Sequence, residues 1–300
     1  MKITYYNLYP YYNMKLILVD ASFNSFYRFF ATLRWFQFSH KEEFKKIKTD
    51  PSYDWFTNKD FKNKYEKMYL QSIKSYIKDM TDVKVIFCQD AKQNTIWRHK
   101  LISSKDLKDS YKGERPDLES KYNFKNLFNY TYKKMIPKFA KEKAYPIFQL
   151  QFPETEADDI IATICIHLKK TNSDQEIIIV SGDDDFTQLG RDNVSILNFH
   201  KKKFITNTCE DCKEKLRLKI IMGDKSDNIP SIFPKVKKGE DGWVPMKDKK
   251  AVKESEEQMN IFLKENPHIN KRFKLNQKLI DFNKIPKKIQ NPVIKKFKLI

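Results

Sequence analysis

The residues of this chain best suited to chemistry are carboxylates. They fall in five short clusters, several of which directly follow an apolar run: Asp20; Asp90; Glu156, Asp158 and Asp159; Asp183 and Asp185; Asp224 and Asp227. So many acids held close together cannot all ionise without a compensating cation. Oxygen ligands in this number suit a hard divalent metal that keeps much of its hydration water. The sequence therefore predicts a divalent-metal site.

The rest of the chain is strongly basic. Lys and Arg number 58 against 39 Asp and Glu, a formal net charge of +19. Such charge raises affinity and association rate for nucleic acid, so the starting hypothesis is a metal-dependent nuclease with a polyanionic substrate. The alternative origin of the charge is the Lys-, Asn- and Ile-rich composition that AT-rich genomes produce. Membrane binding is disfavoured, because no basic amphipathic stretch and no run of ~18 apolar residues is present.

Composition indicates a folded, intracellular protein. The 300 residues, 40% of them hydrophobic, allow one large domain with a smaller appendage. Cys209 and Cys212 have zinc-ligand spacing, but no second pair follows, so a structural role is favoured. No spacing suggests a disulfide framework, which is consistent with a reducing cytosol.

Short apolar runs and helical patterns alternate along the first two thirds of the chain. The runs lie at 15–19, 83–88, 177–180 and 194–197, and helical patterns lie at about 61–80 and 157–169. This alternation predicts an α/β fold with a mainly parallel central sheet flanked by helices. Ligands bind such sheets outside the carboxyl ends of the strands, which explains how acids distant in sequence converge.

The predicted organisation has three parts. Residues 1–14 form an N-terminal extension, 15–205 the α/β metal-binding domain, and 206–300 a smaller helical C-terminal subdomain with helices at 213–222 and 247–265 and a last helix after 278–286. The polar segment 92–125 interrupts the first domain. A long segment of this kind is usually functional or mobile. The alternative is a solvated surface loop.

The acidic clusters carry a resemblance. The stretches are Leu18–Asp20, Phe87–Asp90, Glu156–Asp159, Gly182–Leu189 and Gly223–Pro230. In this order they resemble the 5′-nuclease (flap endonuclease) superfamily, which has a PIN-like fold. A Trp-Arg pair after the second Asp, and a Leu-Ile-Asp-Phe-x-x-Ile-Pro run near the C-terminus, are most similar to the T-even-type phage ribonuclease H branch.

The resemblance implies an activity and a ligand set. Such enzymes hydrolyse phosphodiesters from a 5′ end on RNA·DNA and DNA·DNA duplexes or flaps, and in phage replication they remove RNA primers from lagging-strand fragments. Two Mg²⁺ ions are implied, with Mn²⁺ as a substitute. By position, Asp20, Asp90, Glu156, Asp158 and Asp183 match the first site, Asp185, Asp224 and Asp227 match the second, and Asp159 matches a further acid of shared role.

The resemblance also implies cationic residues. Segment 92–125 matches a helical arch over the active site, in which Arg98, Lys112 and Arg115 neutralise the scissile phosphate and Tyr111 stacks on an unpaired base or packs internally. The gap from Arg98 to Lys112 is longer than the family spacing. A helix–three-turn–helix-like motif in the C-terminal subdomain would bind duplex, but no Gly-x-Gly follows Pro230. The candidate phosphate contacts there are Lys225, Lys235, Lys237 and Lys238.

Partners and competing functions follow from the same residues. The expected partners are duplexes with 5′ ends or flaps, a phage single-strand-binding protein and a sliding clamp, with the chain acting as a monomer in the host cytosol. A non-catalytic nucleic-acid-binding protein would be expected to lack some of the metal-binding carboxylates, yet all of the acidic positions are filled. A single-strand ribonuclease of the related small metal-nuclease fold lacks both the arch and the Gly-Asp-x-x-Asp-Asn motif.

Overall fold

The computed structural model describes residues 14–77, 82–102, 111–118, 120–143, 145–198, 203–205, 209–233, 235–240 and 242–300. The predicted N-terminal extension lies outside the described residues except for Met14. The central part of the predicted arch, 103–110, lies outside them as well.

One sheet of six strands forms the centre of the molecule, in the order β3-β2-β1-β4-β5-β6. The strands are β1 (Lys15–Asp20), β2 (Val83–Cys88), β3 (Ile147–Leu150), β4 (Ile177–Val180), β5 (Val194–Asn198) and β6 (Lys203–Ile205). The first five strands are parallel, and β6 pairs antiparallel with β5. The prediction of a mainly parallel α/β sheet is therefore confirmed.

Eleven α-helices are present among the described residues. They are α1 (Ala21–Ser39), α2 (Lys41–Ile47), α3 (Lys59–Ile77), α4 (Phe124–Tyr130), α5 (Ile136–Lys141), α6 (Ala157–Lys170), α7 (Cys209–Met222), α8 (Met246–Glu254), α9 (Glu256–Glu265), α10 (Pro267–Ile280) and α11 (Lys287–Phe297). The pattern at 247–265 is two helices rather than one, because Ser255 leaves the helical conformation and its side chain caps α9 by accepting from Gln258 N. None of the described helices is long and apolar enough to cross a bilayer.

Helices cover both faces of the sheet. On one face α1, α3, α4 and α5 bury an aromatic-rich core, and on the other α6 packs against β1 and β2 while α11 packs against α6. Strands buried on both faces have continuous apolar sequences, which is why the sequence predicted β1 and β4.

The C-terminal helices form a third apolar cluster that includes Ile221, Val252, Leu263 and Phe273. The last helix, α11, instead packs against α6 through Ile289 and Val293. Segment 206–300 is therefore not one packing unit, because its last helix completes the core of the α/β domain.

The described part of segment 92–125 contains little helix. Short 3₁₀ turns cover Gln93–Thr95 and Trp97–Lys100. Among the described residues of this segment, the first α-helix is α4, which begins at Phe124. Trp97 is buried, so the segment is not a solvated surface loop throughout. Of the predicted arch, the structure describes residues 92–102, 111–118 and 120–125.

Candidate metal and nucleic-acid site

The site lies at the carboxyl ends of the central strands. Asp20 ends β1, and its side chain caps α1 by accepting from Phe23 N at 3.0 Å. The second carboxylate oxygen of Asp20 accepts from Ser181 Oγ, directly after β4, at 3.0 Å. Asp90 follows β2, and its Oδ1 accepts from Ala157 N at 2.7 Å. The chain builds the sheet from β1 towards β2 and β3 on one side and towards β4 and β5 on the other. In sheets of this kind a crevice lies outside the carboxyl ends of the strands at the point where the order reverses, which is here at β1.

The acids of the third cluster open helix α6. Glu156 and Asp159 are buried, whereas Asp158 is partly buried and accepts no hydrogen bond from a described residue. The Asp159 carboxylate is already used by protein donors, since it accepts from Trp97 Nε1 at 2.9 Å and Glu156 N at 3.1 Å. Asp159 thus fixes the start of α6.

Lys219 connects the fourth and fifth clusters. Its ammonium is hydrogen-bonded to Asp185 and lies 2.7 Å from Asp224 Oδ2. Asp183 Oδ1 accepts from Asp185 N at 2.8 Å, which holds this acidic turn directly after β4. Asp184, which lies between these two acids in the sequence, is exposed.

A tight turn shapes the fifth cluster. Asp224 pairs with Ile229 in an isolated antiparallel bridge. Gly223 has φ +75°, and a Cβ there would lie 2.1 Å from Ile229 O, so only glycine fits. This turn places Asp227 beside Tyr111, Lys112 and Arg115 of segment 92–125.

Tyr111, Lys112 and Arg115 close over these acids. The Lys112 ammonium is hydrogen-bonded to Glu156 and lies 3.9 Å from Asp227 Oδ2, and Arg115 Nη2 contacts Asp227 Oδ1 at 2.7 Å. Lys112 has a left-handed φ of 58°, held by a bond from its N to Asp227 O at 2.9 Å. Tyr111 Oη donates to Asp227 at 3.0 Å, and its ring is only 2% exposed. In this arrangement the ring packs internally and offers no free face to a base.

Arg98 is buried rather than directed at open space. Its guanidinium contacts Glu156 Oε2 at 2.6 Å and Asp159 Oδ1 at 2.8 Å, and Nε donates to Leu279 O at 2.9 Å. Contact with a scissile phosphate would require breaking these bonds. Arg98 therefore positions two acids and ties them to the end of α10.

We expect Arg98→Lys to lower the free energy of unfolding by about 1–3 kcal/mol, because an ammonium cannot keep three buried contacts in a fixed fork. The half-exposed Arg115 is the matched control, and Arg115→Lys should change stability by less than about 1 kcal/mol. Urea unfolding of both variants measures the difference. Equal losses in the free energy of unfolding would mean that the buried ion pairs of Arg98 contribute no more to stability than the half-exposed pair of Arg115.

Electrostatics divide the acids into two kinds. Burial and then the charge of Asp90 raise the pKa of Asp20 to about 7, and burial with neighbouring acids also raises the pKa of Asp158. Burial and Asp183 raise the pKa of Asp185 to about 6 despite Lys219. Burial would raise the pKa of Glu156, but Lys112 and Arg98 outweigh it and lower the pKa to about 2. The crevice thus holds more negative charge than its cations compensate.

This donor set fits a hard divalent cation. The raised pKa values of Asp20 and Asp158 show that cations do not fully compensate these carboxylates, and oxygen ligands are those that Mg²⁺ prefers. Within the described part of the chain, no three acidic, Cys or His side chains are assembled closely enough to ligate one ion. Lysine ammonium groups instead contact Glu156, Asp185 and Asp224. The chemistry of the site therefore suits a metal, although the ligands are not preassembled around one point.

The candidate phosphate-binding lysines are exposed, unlike the buried and half-buried acids of the crevice. Lys225 is exposed on the turn of the fifth cluster, and Lys235, Lys237 and Lys238 are exposed in the connection between α7 and α8. The described residues of this connection contain turns and no helix or strand. Cys209 and Cys212 lie in the first turn of α7, and Cys212 is buried.

Sequence reasoning missed several residues that hold the site together. Lys219, Ser181 and Gln188 contact the acids or their supporting turns, and Gln188 Nε2 donates to Ile280 O at 3.1 Å. For Ser181 the position directly after β4 was an available signal. Lys219 is one of 58 basic residues, and no local pattern distinguishes it.

The chain has recognisable relatives. Residues 15–217 match the family described as 5′-3′ exonuclease, N-terminal resolvase-like domain. Ribonuclease H of Enterobacteria phage T4 is 28% identical over 242 residues, 76% of this chain and 74% of the relative. A 5′-3′ exonuclease of Buchnera aphidicola (subsp. Acyrthosiphon pisum) is 33% identical over 137 residues, 39% of this chain and 46% of that one.

A solved structure shares the fold. The T5 D15 flap endonuclease, in a pseudo-enzyme-product complex with DNA and metal ions, aligns with a TM-score of 0.55 and 18% identity over 94% of this chain and 98% of its own. The family match covers most of the α/β domain and the start of α7. The chain therefore belongs to the 5′-3′ exonuclease family of phosphodiester-hydrolysing nucleases. The predicted membership of the 5′-nuclease superfamily is confirmed.

Proposed function

We propose that this chain is a Mg²⁺-dependent 5′→3′ exonuclease with ribonuclease H and flap endonuclease activity. Its role would be to remove RNA primers from lagging-strand fragments in phage DNA replication, in the cytosol of the host. The observation that carries the proposal is the crevice of uncompensated carboxylates at the end of β1, closed on one side by Lys112 and Arg115. The similarity to a phage ribonuclease H supports the biological role.

Two groups of acids would hold two ions, and Mn²⁺ would substitute for Mg²⁺. The first group is Asp20, Asp90, Glu156, Asp158 and Asp183, and the second is Asp185, Asp224 and Asp227. Bound divalent metal supplies a water of lowered pKa and stabilises charge on the phosphate oxygens. Asp159 and Arg98 would hold Glu156 in place from within the protein.

The cations of the chain would bind and orient the substrate. Lys112 is 11% exposed at the mouth of the crevice, where it can neutralise the reacting phosphate once Glu156 is engaged elsewhere. Lys225, Lys235, Lys237 and Lys238 would contact the duplex backbone electrostatically. The proposed substrates are RNA·DNA and DNA·DNA duplexes with 5′ ends or flaps. The proposed partners are a single-strand-binding protein and a sliding clamp, and the chain would act as a monomer.

The test is digestion of a 5′-labelled RNA–DNA chimera annealed to its template, beside a 5′-flap substrate, with Mg²⁺ or with EDTA. Short products released from the 5′ end only with metal are expected. The ratio of rates on the two substrates separates primer removal from flap cutting. Tight duplex binding without cleavage would instead support a non-catalytic binding protein.

A further inference from the structure

Three hydrogen bonds from neighbouring residues fix the position of Asp90. Oδ1 accepts from Ala157 N at 2.7 Å, its carbonyl accepts from Gln151 Nε2 at 2.7 Å, and its main-chain N donates to Ser22 Oγ at 3.0 Å. Ser22 is buried in the first turn of α1. This one hydroxyl therefore links the start of α1 to the end of β2.

The Ser22 hydroxyl has a second partner. Tyr132 Oη lies 3.3 Å from Ser22 Oγ, within hydrogen-bond distance. Burial raises the pKa of Tyr132, so its hydroxyl stays protonated at neutral pH and can donate. Ser22 Oγ can accept from both Asp90 N and Tyr132 Oη, because a hydroxyl oxygen has two lone pairs.

An irregular turn sets the position of Tyr132. Residues Thr131–Met135 form a π-helical turn between α4 and α5, and Ile136 N donates to Thr131 O five residues before it. Pro137 follows immediately, has no N–H, and its ring crowds the carbonyl four residues back, which gives the widened turn a local cause. Single π turns occur frequently at functional sites.

Neighbouring contacts hold this turn and its tyrosine. The Tyr132 ring stacks on Phe128 with centroids 5.5 Å apart and planes at 20°. Thr131 Oγ1 lies 2.8 Å from Tyr65 Oη, and both side chains are fully buried. Side-chain contacts therefore hold both Tyr132 and the residue before it.

We infer that Ser22 and Tyr132 are positioning residues for Asp90: the π turn places Tyr132, Tyr132 orients the Ser22 hydroxyl, and Ser22 fixes the Asp90 main chain so that its carboxylate faces the crevice. The inference rests on the proposed function, in which Asp90 is a metal ligand. Groups behind a metal ligand orient it, and losing one typically weakens metal binding by about 10–100-fold.

The test is a Mg²⁺ titration of the full chain followed by thermal unfolding, without substrate. A cation that binds only the folded state stabilises it by RT ln(1 + [Mg²⁺]/Kd), so Tm rises with Mg²⁺ concentration and a fit of that rise gives the half-saturating Mg²⁺ concentration. We expect Ser22→Ala to raise this concentration by about 10-fold or more. Tyr132→Phe should shift it in the same direction by less. The double variant should match Ser22→Ala, because Tyr132 acts through Ser22.

Tyr65→Phe is the matched control. It removes the buried hydroxyl of α3 that contacts Thr131 of the same turn, without altering the Ser22 contact, so it should lower Tm while leaving the half-saturating Mg²⁺ concentration unchanged. An equal loss of Mg²⁺ affinity in Tyr65→Phe would overturn the inference, as would unchanged affinity in Tyr132→Phe or additive effects in the double variant. Tyr132→Phe decides the matter alone if Ser22→Ala does not fold. Absence of any Mg²⁺ stabilisation in the unchanged protein would instead contradict the proposed metal site itself.

Discussion

Asp158→Asn is expected to reduce cleavage by about 10³-fold or more while substrate binding remains close to that of the unchanged protein. Metal acting on a phosphate contributes several kcal/mol to the transition state, and each ~1.4 kcal/mol is tenfold in rate. Asp158 lies at the first turn of α6, beside Asp20 and Asp183, and accepts no hydrogen bond from a described residue. Its carboxylate is therefore free to serve the proposed metal site rather than the fold.

The same substitution makes a second, independent prediction about stability. Burial and the charges of Asp20 and Asp183 raise the pKa of Asp158, so the ionised carboxylate is unfavourable in the metal-free protein. Asn removes that charge without changing shape, and Tm in EDTA should equal or exceed that of the unchanged protein. The rise in Tm on adding Mg²⁺ should shrink.

Asp184→Asn provides the control, because Asp184 is an exposed acid of the neighbouring cluster. It should retain cleavage and Mg²⁺ stabilisation. Single-turnover cleavage, duplex binding in Ca²⁺ and thermal unfolding separate these effects. Full turnover by Asp158→Asn at saturating Mg²⁺ would remove Asp158 from the metal site.

The strands could be predicted from the sequence only where both sheet faces are covered. β1 and β4 read as unbroken apolar runs because every residue from Leu16 to Val19 and from Ile177 to Val180 is buried. β3 is an edge strand with three half-buried residues, and β6 has three residues in all, so neither produces a clear pattern. Pairing with a neighbour, rather than local composition, makes them strands.

The acids of the site could be predicted for a similar reason. Asp20, Asp90 and Asp183 each follow a strand whose end is visible in the sequence, and parallel strands bring those ends to one edge. The cations could not be assigned in the same way. Arg98 pairs with Glu156 and Asp159 about 60 residues away, and Lys219 bridges two clusters on different elements. Such pairings arise from the tertiary fold and leave no local pattern. Arg98, which the resemblance places at the phosphate, is therefore found buried against Glu156 and Asp159.

Lys112→Ala is expected to slow the cleavage step by about 10²–10³-fold, the usual cost of losing one preorganised electrostatic contact to a reacting group. Binding should weaken by far less, because the remaining lysines supply most of the attraction to the backbone. Lys112 is held for this role by its left-handed backbone and its bond to Asp227 O. A loss confined to kcat indicates an interaction that strengthens in the transition state.

Lys225→Ala is the contrasting variant, since Lys225 is exposed on the turn between Asp224 and Asp227 and serves, in this proposal, only the duplex backbone. Removing it should weaken binding and reduce its salt dependence by about one phosphate contact, with little change in the single-turnover rate. The two lysines carry the same charge, so charge alone cannot produce opposite outcomes. If Lys112→Ala behaves as Lys225→Ala does, with equal losses in binding and cleavage, Lys112 contributes general electrostatics and its contact with Glu156 is structural.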